Sequence, residues 1–259
     1  MNADLLHFLH IPRTSGSSFA KDVQDMFSYG CMDSTVSCGH REFINLSEHE
    51  RINIFSGHNF TYGHFSATLI NTALFVKSIS IIRDPYEHQI SCLSYLLKDT
   101  NDTDMKKTAR DWLVHDSRFS HLDTPFCGEQ NPQVGYLTGK LMQNSIGKLY
   151  LVESADGGLD SILSQIKDLN IVLSTIESRF RLFELVMNYF GYKIHDNFQQ
   201  NYIGHKRHEQ IEEILPAWTR EYLETRHQLD FNLYRYISDY ENSNNSLFNQ
   251  EILSKKEIS

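Results

Sequence analysis

Apolar residues follow two patterns along the chain: short runs that end at turn residues, and longer stretches at helical spacing. The first run, Leu5-Leu6-His7-Phe8-Leu9, passes through Pro12 into small hydroxyl residues around Gly16. Helical spacing begins at Phe19 and continues through Val23, Met26 and Phe27, which predicts strand, tight loop, helix. The stretch 51–58 alternates and reaches Gly57-His58, which predicts a strand delivering His58 at its C-terminal end, where open α/β sheets bind ligands. A β-branched run over 73–82 predicts a further strand ending in Arg83-Asp84-Pro85. Asp84 is placed as N-cap and Pro85 in the first turn of a helix through Ile90, Leu93 and Leu97.

Residues 28–50 are polar and irregular, and 100–147 reads as a mainly helical insertion, interrupted near Thr124-Pro125-Phe126-Cys127-Gly128. Strands are expected at 149–152 and 171–173, and helices at 159–166 and 177–190. The second helix has Phe180, Phe183, Leu185, Val186 and Phe190 on its core side and Gly191 at its end. A polar loop follows, carrying Asn201, Gly204 and the run His205-Lys206-Arg207-His208, and then helices at 217–228 and 231–240. From 243 the chain is Asn/Ser-rich, so a domain over 1–242 with a loose tail over 243–259 is expected. Alternating β and α units predict a single α/β domain with a mostly parallel central sheet flanked by helices.

Composition narrows the function classes. The 259 residues are 40% hydrophobic and 12% aromatic, ordinary for a folded domain. A net charge of −9 excludes a general basic footprint for nucleic acid and favours a small or neutral partner over a long polyanion. No run approaches the roughly 18 apolar residues of a membrane span, and the start has no signal-peptide pattern, so a soluble, cytoplasmic protein is expected. Cys31, Cys38, Cys92 and Cys127 form no Cys-x-x-Cys pair, which suits a reducing compartment. Cys31, Cys38 and His40 match no usual zinc spacing, and no metal is expected.

The opening loop carries the clearest chemistry. A loop between strand and helix aims backbone N–H groups and a positive helix terminus at one spot, and a phosphate is its natural guest. Arg13 adds a planar donor fork, Thr14, Ser15, Ser17 and Ser18 add hydroxyls, and Gly16 gives the turn. The cation precedes the loop's only Gly, so the nucleotide-triphosphate pattern G-x-x-x-x-G-K-[ST] is absent.

The run Phe8-Leu9-His10-Ile11-Pro12-Arg13-Thr14-Ser15-Gly16-Ser17-Ser18 resembles the 5′-phosphosulfate loop of the sulfotransferases, in the branch of heparan sulfate 2-O-sulfotransferase and many bacterial enzymes. That branch usually has Lys at the position of Arg13 and a second Gly at that of Ser15. Arg83-Asp84-Pro85 with Ser91 resembles the same family's 3′-phosphate motif. The resemblance implies a P-loop-like sulfotransferase fold, in which residues 13–18 bind the phosphosulfate of 3′-phosphoadenosine 5′-phosphosulfate (PAPS), and Arg83 and Ser91 bind its 3′-phosphate. It also implies His58 as general base, in the stretch His58-Asn59-Phe60-Thr61-Tyr62-Gly63-His64, with Arg13 stabilising the leaving oxygen.

An imidazole near neutral pKa suits removal of a hydroxyl proton. His58 could equally cap a loop; His64 is the reserve, and His7 and His10 suit packing. Asn131-Pro132-Gln133 through Gly139 and Asp230 with Leu233-Tyr234 resemble two further family segments. Asn131 and Gln133 could contact a nucleotide or acceptor, or cap a helix. The 205–208 run could close over the nucleotide or be a solvated charge run. Three functions remain in view: an O-sulfotransferase acting on a small-molecule, lipid or glycan hydroxyl, a related nucleotide-dependent kinase, and a catalytically silent nucleotide-binding module.

Overall fold

In the computed structural model the described residues are 5–27, 46–47, 49–50, 53, 59–63, 77–97, 130–143, 149–152, 158–194 and 208–253. Four short strands, β1 (Leu6–Leu9), β2 (Phe60–Gly63), β3 (Lys77–Ile82) and β6 (Ile171–Thr175), form a parallel sheet in the order β2-β1-β3-β6. Leu6 pairs with Phe60 on one side and Lys77 on the other, and Ser78 pairs with Ile171. Strands β4 (Lys140–Gln143) and β5 (Leu149–Val152) form a separate antiparallel ribbon.

The alternation of side chains along each strand sorts them between two helical layers. Leu6, Phe8, Ile79, Ile81 and Val172 face α1 (Gly16–Phe27) and the later helix Arg179–Phe190, where they meet Phe19, Val23, Phe183 and Val186. Leu9, Ile82, Ile171 and Leu173 face the other way, onto helices Pro132–Thr138, Gly158–Asp168 and Gln228–Asn244. A third cluster is built on α2 (Pro85–Leu96), which packs Ile90 and Leu93 on helices His208–Ile214 and Thr219–Arg226. In chain order the helices after α2 are α3 (Pro132–Thr138), α4 (Gly158–Asp168), α5 (Arg179–Phe190), α6 (His208–Ile214), α7 (Thr219–Arg226) and α8 (Gln228–Asn244). Each fully buried Phe or Leu of these layers contributes about 2–3 kcal/mol by leaving water. No helix among the described residues is long and apolar enough to cross a membrane.

The single α/β domain with a parallel, helix-flanked sheet matches expectation, and several boundaries move. Ser47 and Glu50 form a capping box, in which the Ser47 N–H and hydroxyl donate to Glu50 Oε2 at 2.8 and 2.6 Å. His49, Glu50 and Asn53 are helical, against the strand expected from residue 51, and the strand is Phe60–Gly63 instead. The alternation after 51 is therefore compatible with a short helix once a cap starts it.

Part of the insertion, 140–143, is strand rather than helix, and His208, expected in the polar loop, begins a helix that runs to Ile214. Phe180, expected on the core side, is 42% exposed, while Leu182 and Met187 are fully buried. The loose tail does not hold for 245–253. Phe248 bridges Leu173 on β6, Leu247 and Leu253 are buried, and the Asn249 amide donates to the Ile171 carbonyl at 3.1 Å. Polar composition hid three apolar anchors. The possible zinc residues Cys31, Cys38 and His40, and Asn201 through Arg207, lie outside the described residues.

Candidate functional site

Because β1, β3 and β6 run parallel, the helices that follow them, α1, α2 and α5, all start at one edge of the sheet. Three helix N-termini there provide positive potential. The loop from β1 to α1 places Arg13 and Ser15 in the left-handed region, with φ of 70° and 68°. For side chains with a Cβ this costs on the order of 1–3 kcal/mol each. A Gly at position 15, as the resembling branch has, would avoid part of that cost.

Contacts from three elements hold the loop. The Thr14 hydroxyl donates to the Ile11 carbonyl at 2.8 Å, His88 Nε2 on α2 donates to the Pro12 carbonyl at 2.8 Å, and Arg179 Nη1 at the start of α5 donates to Ser15 Oγ at 2.7 Å. Thr14 is fully buried and its hydroxyl proton is engaged inside the loop. It shapes the loop, whereas the sequence placed its hydroxyl among the anion ligands. Ser17 is exposed at the start of α1 and Ser18 is buried one residue later.

Gly16 is required sterically. A Cβ there would overlap the His10 ring, which stacks on Phe8 with centroids 5.8 Å apart. Overpacking of this kind costs about 1–3 kcal/mol. Gly16→Ala is expected to lower stability by that amount in urea unfolding and to displace the loop; an unchanged unfolding midpoint would refute the contact.

After β3, Asp84 Oδ1 accepts from the Glu87 N–H at 3.0 Å, with Pro85 at the first helical position, as the sequence predicts. Arg83 pairs with Glu87 at 3.2 Å one turn into α2. Its peptide is gripped by Gln133: the Arg83 N–H donates to Gln133 Oε1 and Gln133 Nε2 donates to the Arg83 carbonyl, both at 2.8 Å. Gln133 is fixed in turn by Asp230 on α8, whose carboxylate accepts from the Gln133 and Val134 N–H groups at 3.1 and 2.8 Å. Asn131 Oδ1 accepts from the Leu229 N–H at 3.0 Å, and the Asn131 N–H donates to His227 Nδ1 at 3.1 Å. Asn131 and Gln133 thus brace helix termini and the Arg83 turn, the capping role among the alternatives open from sequence. The two resembling segments, around Asn131 and around Asp230, are one interlocked unit.

The loop and the turn meet through side chains. Arg13 Nε donates to Ser91 Oγ at 3.3 Å, and its guanidinium carbon lies 5.0 Å from the centre of the Tyr95 ring, one turn further along α2. The structure therefore brings Arg13 and Ser91 together while Arg83 stands paired to Glu87. Burial lowers the pKa of His88 to about 4, with Arg83 and Arg13 adding to the effect, so its imidazole is neutral and donates from Nε2. Burial likewise lowers His7 and His227 to about 3; Arg226 and His88 reinforce the second.

His58 and His64 lie outside the described residues. The expected strand end at His58 does not hold: β2 begins after His58, and the Asn59 carbonyl accepts from the Leu6 N–H at 2.8 Å at the start of parallel β1, the edge away from the Arg13 loop, whereas Gly63, which directly precedes His64, accepts from the His10 N–H at 2.8 Å at the ligand edge. Sequence reasoning missed His88 and Arg179. Nothing local marks His88, but Arg179 opens a helix just after a buried strand, the same placement that marks Arg13 and Arg83.

No family model matches the chain. Comparison with curated proteins finds no significant match. Among solved structures, the chain is similar to that of mouse sulfotransferase SULT7A1 complexed with PAP, at 10% sequence identity and a TM-score of 0.43, over 100% of this chain and 90% of that one.

Proposed function

We propose that the protein is a PAPS-dependent O-sulfotransferase. The observation that carries the reading is the meeting of two phosphate-type motifs at the carboxyl edge of adjacent parallel strands, where Arg13 of the first contacts Ser91 of the second at 3.3 Å. Two cation-bearing turns side by side suit a nucleotide with phosphates at both ends.

In this reading the loop 13–18 holds the phosphosulfate through backbone N–H groups and the start of α1, and Arg83 and Ser91 hold the 3′-phosphate. His64, which follows Gly63 at the carboxyl end of β2, takes the proton of the acceptor hydroxyl as that oxygen bonds sulfur, and the bond from sulfur to the bridging oxygen breaks in line. The electron pair remains on the phosphate, giving adenosine 3′,5′-bisphosphate and a sulfate ester. Guanidinium groups and helix termini offset the charge that grows on the leaving oxygen. Arg is always protonated and acts here by charge and hydrogen bonding, where Lys could also donate its proton.

Calorimetric titration with adenosine 3′,5′-bisphosphate, AMP and ATP tests the donor site. The bisphosphate is expected to bind at least about 10-fold tighter than either, and Arg83→Ala to weaken it by about 10–100-fold, the worth of one charge-assisted contact. Equal affinities for all three would refute the two-phosphate reading.

A further inference from the structure

The sequence motif places Arg13 with the 5′-phosphosulfate; its side chain goes elsewhere. The backbone at Arg13 is left-handed, φ 70°, and the guanidinium reaches α2, where Nε donates to Ser91 Oγ at 3.3 Å and the guanidinium carbon lies 5.0 Å from the centre of the Tyr95 ring. Ser91 is the residue assigned above to the 3′-phosphate. With Nε held by Ser91, the two terminal nitrogens of the fork supply the bidentate geometry that a phosphate accepts, an arrangement Lys cannot make.

A different arginine reaches the phosphosulfate loop. Helices α1 and α5 cover the same face of the sheet, Phe19 meeting Phe183, so their N-termini adjoin at its carboxyl edge. Arg179, the first residue of α5, is only 6% exposed and donates from Nη1 to Ser15 Oγ at 2.7 Å. A guanidinium held in place inside the protein is already positioned for charge developing on a leaving oxygen.

We propose that the two cations have divided roles: Arg13 is a ligand of the 3′-phosphate, and Arg179, tethered by Ser15, is the cationic ligand of the 5′-phosphosulfate. This rests on the sulfotransferase reading above. It accounts jointly for the two departures from the resembling loop. Arg in place of Lys at 13 reaches Ser91, and Ser in place of Gly at 15 supplies the hydroxyl that anchors the replacement cation.

Truncated ligands separate the two roles. Adenosine 3′,5′-bisphosphate, adenosine 5′-monophosphate and adenosine 3′-monophosphate are titrated into the full chain and into Arg13→Ala, Arg179→Ala, Arg179→Lys and Ser15→Ala, with folding followed by circular dichroism. Arg179→Ala is expected to weaken the bisphosphate and the 5′-monophosphate about 10-fold or more and to leave the 3′-monophosphate within about 2-fold. Arg13→Ala is expected to give the reverse pattern. Ser15→Ala, which removes only the tether, follows Arg179→Ala more weakly, and together with Arg179→Lys it serves as the test if Arg179→Ala does not fold.

A wild-type chain that binds the bisphosphate no better than the monophosphates refutes the donor reading, and this assignment with it. A retained bisphosphate preference in which Arg13→Ala tracks the 5′-phosphate, or in which the Arg179 and Ser15 variants change none of the three affinities, refutes the division of roles alone.

Discussion

His64→Ala is expected to lower sulfuryl transfer from PAPS by about 10²–10⁴-fold, the usual worth of a positioned general base. Its affinity for adenosine 3′,5′-bisphosphate should stay within about 2-fold of wild type, because the base meets the acceptor rather than the phosphates. In the wild-type chain kcat/KM should fall as pH drops through the ordinary imidazole range near 6.5, and that limb should vanish in the variant. His58→Ala, at the residue the family resemblance implies, run in parallel distinguishes the two histidines that flank β2. His64 follows Gly63, the residue that closes β2 beside His10 at the ligand edge. A loss confined to His58→Ala would move the role of base to His58, and full activity in both variants would remove the imidazole from the mechanism.

Acidification is expected to start destabilising the chain below about pH 6.5, above the range in which carboxylates titrate. His7, His88 and His227 are held neutral by burial, with folded pKa values of about 3, about 4 and about 3 against an ordinary 6.5. Between those limits the unfolded chain binds protons that the folded chain refuses, so stability is intact above pH 6.5 and declines as pH falls towards 4. Each histidine removes about 1.4 kcal/mol per pH unit.

Together the three remove about 4 kcal/mol per unit, against a typical domain stability of about 5–15 kcal/mol, which places unfolding near pH 4–5. Urea midpoints at pH 7, 6 and 5 measure the slope. His88→Gln keeps a donor for the Pro12 carbonyl and should make the slope shallower by about one third. A midpoint that does not move between pH 7 and 5 would refute neutral burial of these rings.

Asp84, Pro85 and Gly191 illustrate what is legible in a chain read residue by residue. Asp84 accepts from Glu87 three residues on, Pro85 needs only its own φ, and Gly191 closes α5 at φ 77°. The same locality made β1, β3 and β6 recognisable, since a buried parallel strand needs an apolar run and little else. The alternation around Asn53 predicts a strand, whereas Ser47 and Glu50, three residues apart, close a capping box that starts a helix there. The tail composition predicts a loose segment, since Leu247, Phe248 and Leu253 are few among polar neighbours, yet each finds a place on the core.

By itself the sequence determined an α/β domain with two arginine-bearing turns at strand ends, because strand, cap and turn preferences act over a few residues. Only the tertiary structure decided which groups those arginines meet. Arg13 lies 78 positions from Ser91, Arg83 lies 50 from Gln133, and Arg179 lies 164 from Ser15. These partners are set by strand order and by which helices share a face of the sheet, and no local preference of an arginine encodes either.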